Sequence, residues 1–542
     1  MSENKDKKNK INMDKMSRRG FLKVGSLAMG GVAMGMVTGC GGTDDVRVHD
    51  DIGLDDLINS SSLPKTWDET SDLVFIGYGG AAAMASIHAV KADPSIKIHI
   101  IEIQESGGGS TRMSGAGTQL GGGTRLQTDN GFNETPEQFL TSAIGRAGEG
   151  GNEAILTAYA NNAKEAFETL LETGLTYTGF SDMYLNSPLD ADSLIFDGEK
   201  RPEYSTDLGI PAVPHVHFPI AEDGASRAQT LWKYLHNAVS ALSNVTVSYS
   251  TEAKSLYVDG DGRVVGVKTL KNGAEVNFNA TKAVLMSNGG FIKNDEMVKQ
   301  FVPHAINCSR GGNPYDLGSG IKMGQEIGAD LQMMNASEDF CPTYYYAPAY
   351  VKSIAINPSG MRFAAEDLGG PFMGTWVART YPLSYLVFDK TIRDEIPAAL
   401  DAIITGRAVS ANTIAELAAL INVSPTALQA TVDTYNTYAN NGVDEQFAKD
   451  PATMQPLVTP PFYAQQRVSQ EVFTLTNGGL RINDKAQVLK PDGTVIPGFY
   501  AAGATTANIN AQYYLSGGGT GGAFVFGMIA AKEMVTETSW EG

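Results

Sequence analysis

The stretch Val74-Phe75-Ile76-Gly77-Tyr78-Gly79-Gly80-Ala81-Ala82 constrains this 542-residue chain more than any other. Asp72–Ile76 reads as an apolar strand, Gly77–Gly80 as a turn and Ala81–Ala92 as a small-residue helix. Ile96–Ile103 then reads as a second strand, carrying Glu102 near its end. A strand–turn–helix–strand unit with glycines at this spacing is the outline of a dinucleotide site. Gly77 permits the tight turn, and Gly79 lets the backbone approach a pyrophosphate. Gly80 and Ala81 open the helix whose N-terminus faces the anion, while Ala82 packs helix on strand. Glu102, twenty residues after Ala82, is placed to hydrogen-bond a ribose hydroxyl.

The remaining glycines choose among dinucleotides. There are sixty, clustered at 77–80, 107–123, 289–290, 311–320 and 517–527, a pattern that suits repeated approach of backbone to a ligand. Gly107–Gly115 follows Glu102, and its N–H groups, with Gly109, Ser110, Thr111, Ser114 and Gly115 among them, can line a pyrophosphate and ribityl chain. Asn288 and Gly289 follow another apolar strand, and Ala253 is counted with them as a cofactor contact. Late in the chain come Gly478-Gly479-Leu480, then Ile496 to Gly503, then Gly517–Gly527, which holds Thr520 and Gly521. That last run leads into a helix expected at Ala523–Val535, with its N-terminus toward the N1–C2 edge of a flavin. The combination selects FAD over a nicotinamide cofactor.

The first 40 residues read as an address rather than as fold. Ser17-Arg18-Arg19-Gly20-Phe21-Leu22-Lys23 is a twin-arginine pattern, followed by the short apolar run Val24–Val37 and by Val37-Thr38-Gly39-Cys40, a lipobox. The run is too short and too glycine-rich to span a bilayer. These features predict a twin-arginine lipoprotein signal at 1–39, export with cofactor loaded, and a lipid anchor on Cys40. The chain would then be held in a bacterial cell envelope, on the outer side of the cytoplasmic membrane. Residues 40–70 read as a flexible tether. Formal charge is −19, and about −24 without residues 1–39, which argues against nucleic-acid partners. Beyond Cys40 only Cys308 and Cys341 remain; both are expected as buried thiols, with no metal site and no haem motif.

The length calls for two domains or one large divided one. Helices are expected at 135–147, 152–174 and Ser226–Leu242, and strands at Val245–Tyr249, Ala253–Val258, Val264–Leu270 and Ala283–Met286. Asp259-Gly260-Asp261-Gly262 and Lys271-Asn272-Gly273 are hairpin turns. From 336 to 476 the composition shifts to aromatics, with helices at 389–400 and 411–441. The fold class is therefore α/β. A Rossmann-like FAD-binding domain of glutathione-reductase type, 71–335 with 477–542, is interrupted by an α+β cap or substrate domain at 336–476.

Taken together these segments resemble the FAD-dependent fumarate reductase and 3-ketosteroid dehydrogenase superfamily, over nearly everything from 71 to 536. The resemblance implies a substrate held between flavin and cap. Fumarate and urocanate reductases carry an Arg before the last Leu-Gly-Gly and a His before Gly-Gly-Leu. Here those places hold Tyr514 and Leu475, so the cation that would pair a dicarboxylate is missing. Tyr513-Tyr514-Leu515-Ser516-Gly517-Gly518-Gly519 is instead similar to the ketosteroid enzymes, nearest the Δ4-(5α)-dehydrogenase branch. Leu120–Gln127, Glu134–Glu137 and Met361–Asp367 resemble that branch too. Ala504 departs from the glutamate that many members have after Ala-Ala-Gly.

The resemblance implies that an enone and its saturated ketone are interconverted by hydride transfer at flavin N5. Tyr514 and the N–H of Gly518 or Gly519 would stabilise the enolate oxygen. A tyrosine of the Tyr344-Tyr345-Tyr346 run, Tyr346 before Tyr345, would exchange the α-proton with Ser516 as a relay. The direction and the electron donor are not encoded. Two rival readings stand beside this one: a respiratory reductase of an unsaturated carboxylate, and a non-catalytic flavin electron-transfer lipoprotein. His215 and His217 are expected in a structural or substrate-entry role, and Arg362 with Glu366 as an ion pair.

Overall fold

The computed structural model describes residues 63–540 apart from 182–192, 223, 341–350, 369–372, 375–378, 382, 397–407, 469–471, 508 and 512. The leader, Cys40, Cys341 and the run Tyr344–Tyr346 lie outside the described residues.

Glu69–Ile76 forms the opening strand, flanked in parallel by Ile98–Ile101 and Ala274–Met286, with Val74 level with His99 on one side and Val284 on the other. Val245–Ser248 and Val495–Ala501 extend the sheet in parallel, and Gln487–Leu489 closes one edge antiparallel. A parallel sheet covered on both faces has to be apolar on both. Leu73, Val74, Phe75 and Ile76 are accordingly all buried, as are Ile98, Ile100 and Ile101. The helix Gly80–Ala92 lies against the closing helix Gly518–Met534, so the first and last parts of the domain share one layer.

Several element boundaries differ from expectation, each for a local reason. The strand expected at Ala283–Met286 begins at Ala274, because Asn272 and Gly273, at φ of 53° and 81°, turn Val264–Lys271 back onto it as a hairpin. The helix expected at 411–441 is two, Ile414–Leu420 and Pro425–Asn441. Thr413 and Ser424 cap them, Pro425 occupies the first turn and Asn422 sits at φ 55°. The closing helix starts at Gly518, not at Ala523, with the glycines inside it. A Cβ on Gly521 would collide with the Tyr159 hydroxyl, and one on Gly527 with the Ala81 carbonyl. Close packing, not chain flexibility, fixes those glycines.

Ile354–Ile356, Leu383–Asp389, Phe462–Val468 and Ala408–Ala411 build a second, antiparallel sheet. Its apolar cluster, which includes Ile354, Leu386, Phe388, Leu417 and Leu428, is separate from the main core. Arg362 and Glu366, expected as an ion pair, are buried there. Arg362 donates to Glu366 at 2.9 and 3.1 Å and to Asp444 at 2.9 and 3.1 Å. Lys449 Nζ lies 3.2 Å from Glu366 and donates to the Ser353 carbonyl at 2.9 Å. Cys308 is half-buried rather than buried, with its thiol 3.9 Å from the His304 carbonyl, since it sits at the rim of a small satellite cluster. Among the described residues no helix is long and apolar enough to cross a membrane, and no His/Cys/Asp/Glu group could hold a metal ion.

Candidate functional site

A cavity of about 890 Å³ opens at the carboxyl ends of the parallel strands, where ligands of open α/β sheets bind. Its size suits a large organic ligand. Gly77, at φ 93°, makes the turn after the opening strand. A Cβ there would stand 2.7 Å from Asn288 Cα and from the Ser287 carbonyl oxygen. Gly79 and Gly115 are different: the nearest atom to a Cβ on Gly79 would be 3.9 Å away, and none lies within 4 Å of one on Gly115. Their missing side chains leave cavity rather than protein contact, as a backbone cradle for a ligand requires. Gly80 N–H donates to Thr111 Oγ1 at 3.1 Å, which ties the start of the helix to the Gly109–Met113 segment.

Glu102 lies at the cavity and is 6% exposed. Its carboxylate accepts from the Tyr78 N–H at 2.7 Å and the Gln104 N–H at 2.8 Å. Burial pushes its carboxyl above the usual carboxylate range, with those N–H groups opposing. A carboxylate accepts about four hydrogen bonds, so acceptor sites remain for ribose hydroxyls. Ser110 donates to Asp316 at 2.6 Å, and Asp316, pushed up to about 6 by burial, stands directly beneath Gly289. Ser114, Ala253, Asn288, Gly503 and Thr520 also line the cavity.

Two expected cofactor residues do not line it. Ala82 is fully buried between helix and sheet, as its packing role requires. Gly521 packs inside the closing helix instead: its N–H donates to the Gly517 carbonyl at 2.8 Å, and a Cβ there would meet the Tyr159 hydroxyl.

Of the catalytic candidates, Tyr514 and Ser516 line the same cavity. Tyr514 is buried, and its hydroxyl accepts from Gly519 N–H at 3.0 Å. Leu475 stands beside Gly519 with Tyr514, so the two positions that replace Arg and His are neighbours in space. The Gly518 N–H donates to the Leu515 carbonyl at 2.6 Å, and Gly519, not Gly518, lines the cavity. Asn510 holds this loop by accepting from Leu515 N–H at 3.1 Å. Ser516 lines the cavity too, with its hydroxyl beside the Asp197 carboxyl.

Behind Ser516 lies a buried charge cluster that the sequence did not announce. Arg146 donates to Glu199 at 2.8 Å and to the Asp197 carbonyl at 2.8 Å. His215, expected in a structural or entry role, bridges Glu199 at 3.1 Å and Glu134 at 2.8 Å. Burial alone would lower the His215 imidazole, but the two carboxylates carry it up to about 9. His217 bonds Thr124 at 2.9 Å and is lowered to about 3 by burial, so it is neutral. Asp197 and Asn510 carried no spacing that would have found them. Asp316 lay within the glycine cluster at 311–320.

Known proteins agree with this geometry. The chain is 26% identical over 483 residues to the NADH:fumarate oxidoreductase of Klebsiella pneumoniae, covering 88% of this chain and 48% of that protein. It thus spans about half the length of the first curated relatives it matches. With the 3-oxosteroid 1-dehydrogenase of Mycobacterium tuberculosis it shares 27% over 566 residues, 86% of this chain and 98% of that one. Among solved structures, the 3-ketosteroid-Δ4-(5α)-dehydrogenase of Rhodococcus jostii in complex with 4-androstene-3,17-dione superposes with a TM-score of 0.81 at 28% identity. That match covers 87% of this chain and 98% of that chain. The family model of the FAD binding domain matches residues 72–520, from the opening strand to the start of the closing helix. Those two ends are the ones that wall the cavity: the chain belongs to the FAD binding domain family, and FAD is its cofactor.

Proposed function

We propose that the protein is an oxidoreductase of CH–CH bonds that interconverts an enone and its saturated ketone, with 3-ketosteroids as the substrate class. The carrying observation is the pairing of the Tyr514 hydroxyl with Gly519 N–H beside apolar Leu475, where a carboxylate-binding site would need a cation. The likeness to steroid enzymes over most of their length supports the same reading.

FAD would be held by Glu102, the Gly79–Ala81 helix start, Ser110–Thr111 and the Gly503 and Thr520 segments; when bound it supplies two-electron transfer to or from the β-carbon. The chain's own residues handle charge and protons. Tyr514 donates its hydroxyl proton toward the ketone oxygen while accepting from Gly519 N–H, which fixes the hydroxyl and stabilises negative charge as an enolate forms. Ser516 exchanges the α-carbon proton, together with Tyr346 or Tyr345 of the run outside the described residues. The sheet and helices of 336–476 act as the cap that shuts water from the ring face. Residues 1–39 export the chain, Cys40 carries its lipid, and an envelope electron donor reduces it.

Anaerobic reoxidation of the reduced enzyme, followed by flavin absorbance, tests the reading. Steroid enones should reoxidise it and fumarate, urocanate and cinnamates should not. Reoxidation by the acids alone would replace it with the carboxylate reductase, and reoxidation by neither with an electron carrier.

A further inference from the structure

We propose that Asp197 holds the proton that Ser516 exchanges with the substrate's α-carbon, as a positioning residue acting through the Ser516 hydroxyl. The inference rests on the ketone reading above and names what stands behind its serine.

Asp197 is 1% exposed, and among the described residues its carboxylate meets no well-aligned hydrogen bond: Arg146 stands 3.7 Å away and Ser516 lies beside it. The Ser516 hydroxyl is buried too, and it faces the Asp197 carboxyl, whose pKa it and the Ser516 N–H both draw down. Two buried polar groups that depend on each other for a partner are a costly arrangement for a protein interior unless they share a proton. A proton passing between them removes the penalty, and a small rotation of the serine aims it at the cavity it lines.

The surrounding charges suit that task. The groups facing Asp197 are Arg146 on the helix Pro136–Ala147, 3.7 Å away, Glu199 on its own segment, and Ser516 on the closing loop. Beyond them His215 and Glu134 complete the cluster. Arg146 and the imidazolium of His215 balance Glu199 and Glu134, so Asp197 is the odd carboxyl. Burial pushes it up to about 6, with Arg146 opposing and Glu199 assisting. A group that titrates near neutrality loads and unloads a proton readily.

In the reducing direction bound reduced FAD would supply two electrons and one hydrogen to the β-carbon. The Ser516 O–H bond breaks as the α-carbon C–H bond forms, and the Asp197 proton moves to Ser516. The enone becomes the saturated ketone, and Asp197 is left ionised, to be reprotonated from solvent.

The test is anaerobic stopped-flow reoxidation of the reduced holoenzyme by 4-androstene-3,17-dione. In the wild type the rate should fall as pH rises through about 6. Asp197→Asn should lower it ~100-fold and abolish that pH break, with FAD retained. Adding Ser516→Ala to it should slow the enzyme no further than the slower single variant. An Asp197→Asn enzyme with an unchanged rate and pH break overturns the proposal. If the wild type ignores the steroid, the ketone reading fails first, and infrared pH-difference spectra then judge Asp197 separately. A carboxyl C=O band titrating near 6, lost in Asp197→Asn and shifted in Ser516→Ala, supports the proton-holding role. Absence of that band in the wild type, or its indifference to both substitutions, overturns it. The Ser516→Ala shift decides the matter if Asp197→Asn fails to fold.

Discussion

Two buried charge clusters of similar size differ in how completely their atoms are paired. Under the second sheet, Arg362, Glu366, Asp444 and Lys449 balance in charge. The two carboxylates share Arg362, and Glu366 also accepts from Ala355 N–H at 2.9 Å. Behind the cavity, Arg146, His215, Glu134, Glu199 and Asp197 carry one carboxyl more than they have cations. Among the described residues the Asp197 carboxylate and Arg146 Nε make no well-aligned hydrogen bond there, and Arg146 approaches Asp197 only to 3.7 Å. A saturated cluster can only resist change, because every proton and lone pair is committed. An unsaturated cluster touching a ligand cavity keeps a position that can gain or lose a proton. The first serves architecture and the second, on the proposal above, chemistry, although both read as buried salt bridges.

Substitution should separate them. Arg362→Met leaves Glu366 and Asp444 buried without their shared cation and should remove about 3–5 kcal/mol of stability, read by urea unfolding. Asp197→Asn should leave stability nearly unchanged in the same assay. Equal losses would erase the distinction between the clusters.

Next in size is Tyr514→Phe, which should lower turnover ~100–1,000-fold by removing the donor to the ketone oxygen, while FAD stays bound. An undiminished rate would exclude Tyr514 from the chemistry.

Gly79→Val comes third. Its backbone lies at φ −104°, which any residue adopts, and its missing side chain faces the cavity. The apoprotein should melt as the wild type does while FAD content collapses. A variant purified with full FAD would show that Gly79 does not face the cofactor.

The smallest effect concerns pH. His215 titrates at about 9 in the folded chain and near 6.5 unfolded, so its contribution is complete below about 6.5 and lost as pH rises through 9. Thermal midpoints should decline across that window and flatten in His215→Gln. The Arg362 cluster has no group titrating there, since the guanidinium and Lys449 are both raised by their carboxylates despite burial.

The cavity's glycines were legible in the sequence because glycine leaves a trace wherever backbone must approach a ligand. Gly77, Gly79, Gly109, Gly115 and Gly503 all fall on the cavity. Gly518 and Gly521 lie off the cavity, packed against Asn510 and Tyr159, and a glycine needed for packing looks identical in sequence to one facing a ligand. Tyr514 and Leu475 were legible only as departures from a family pattern. Asp197 was invisible: an acid in a short irregular segment has no period, and its meaning comes from Arg146 and Ser516, distant in sequence and brought together only by folding.

The contact between the helices Gly80–Ala92 and Gly518–Met534 also sets a schedule. During synthesis the glycine turn at Gly77–Gly80 leaves the ribosome early, but its opposite wall does not exist until Gly518 and the residues after it have emerged. A nascent or truncated chain therefore offers the flavin half a cradle. Retained yellow colour reports that the whole span has been made and closed on itself.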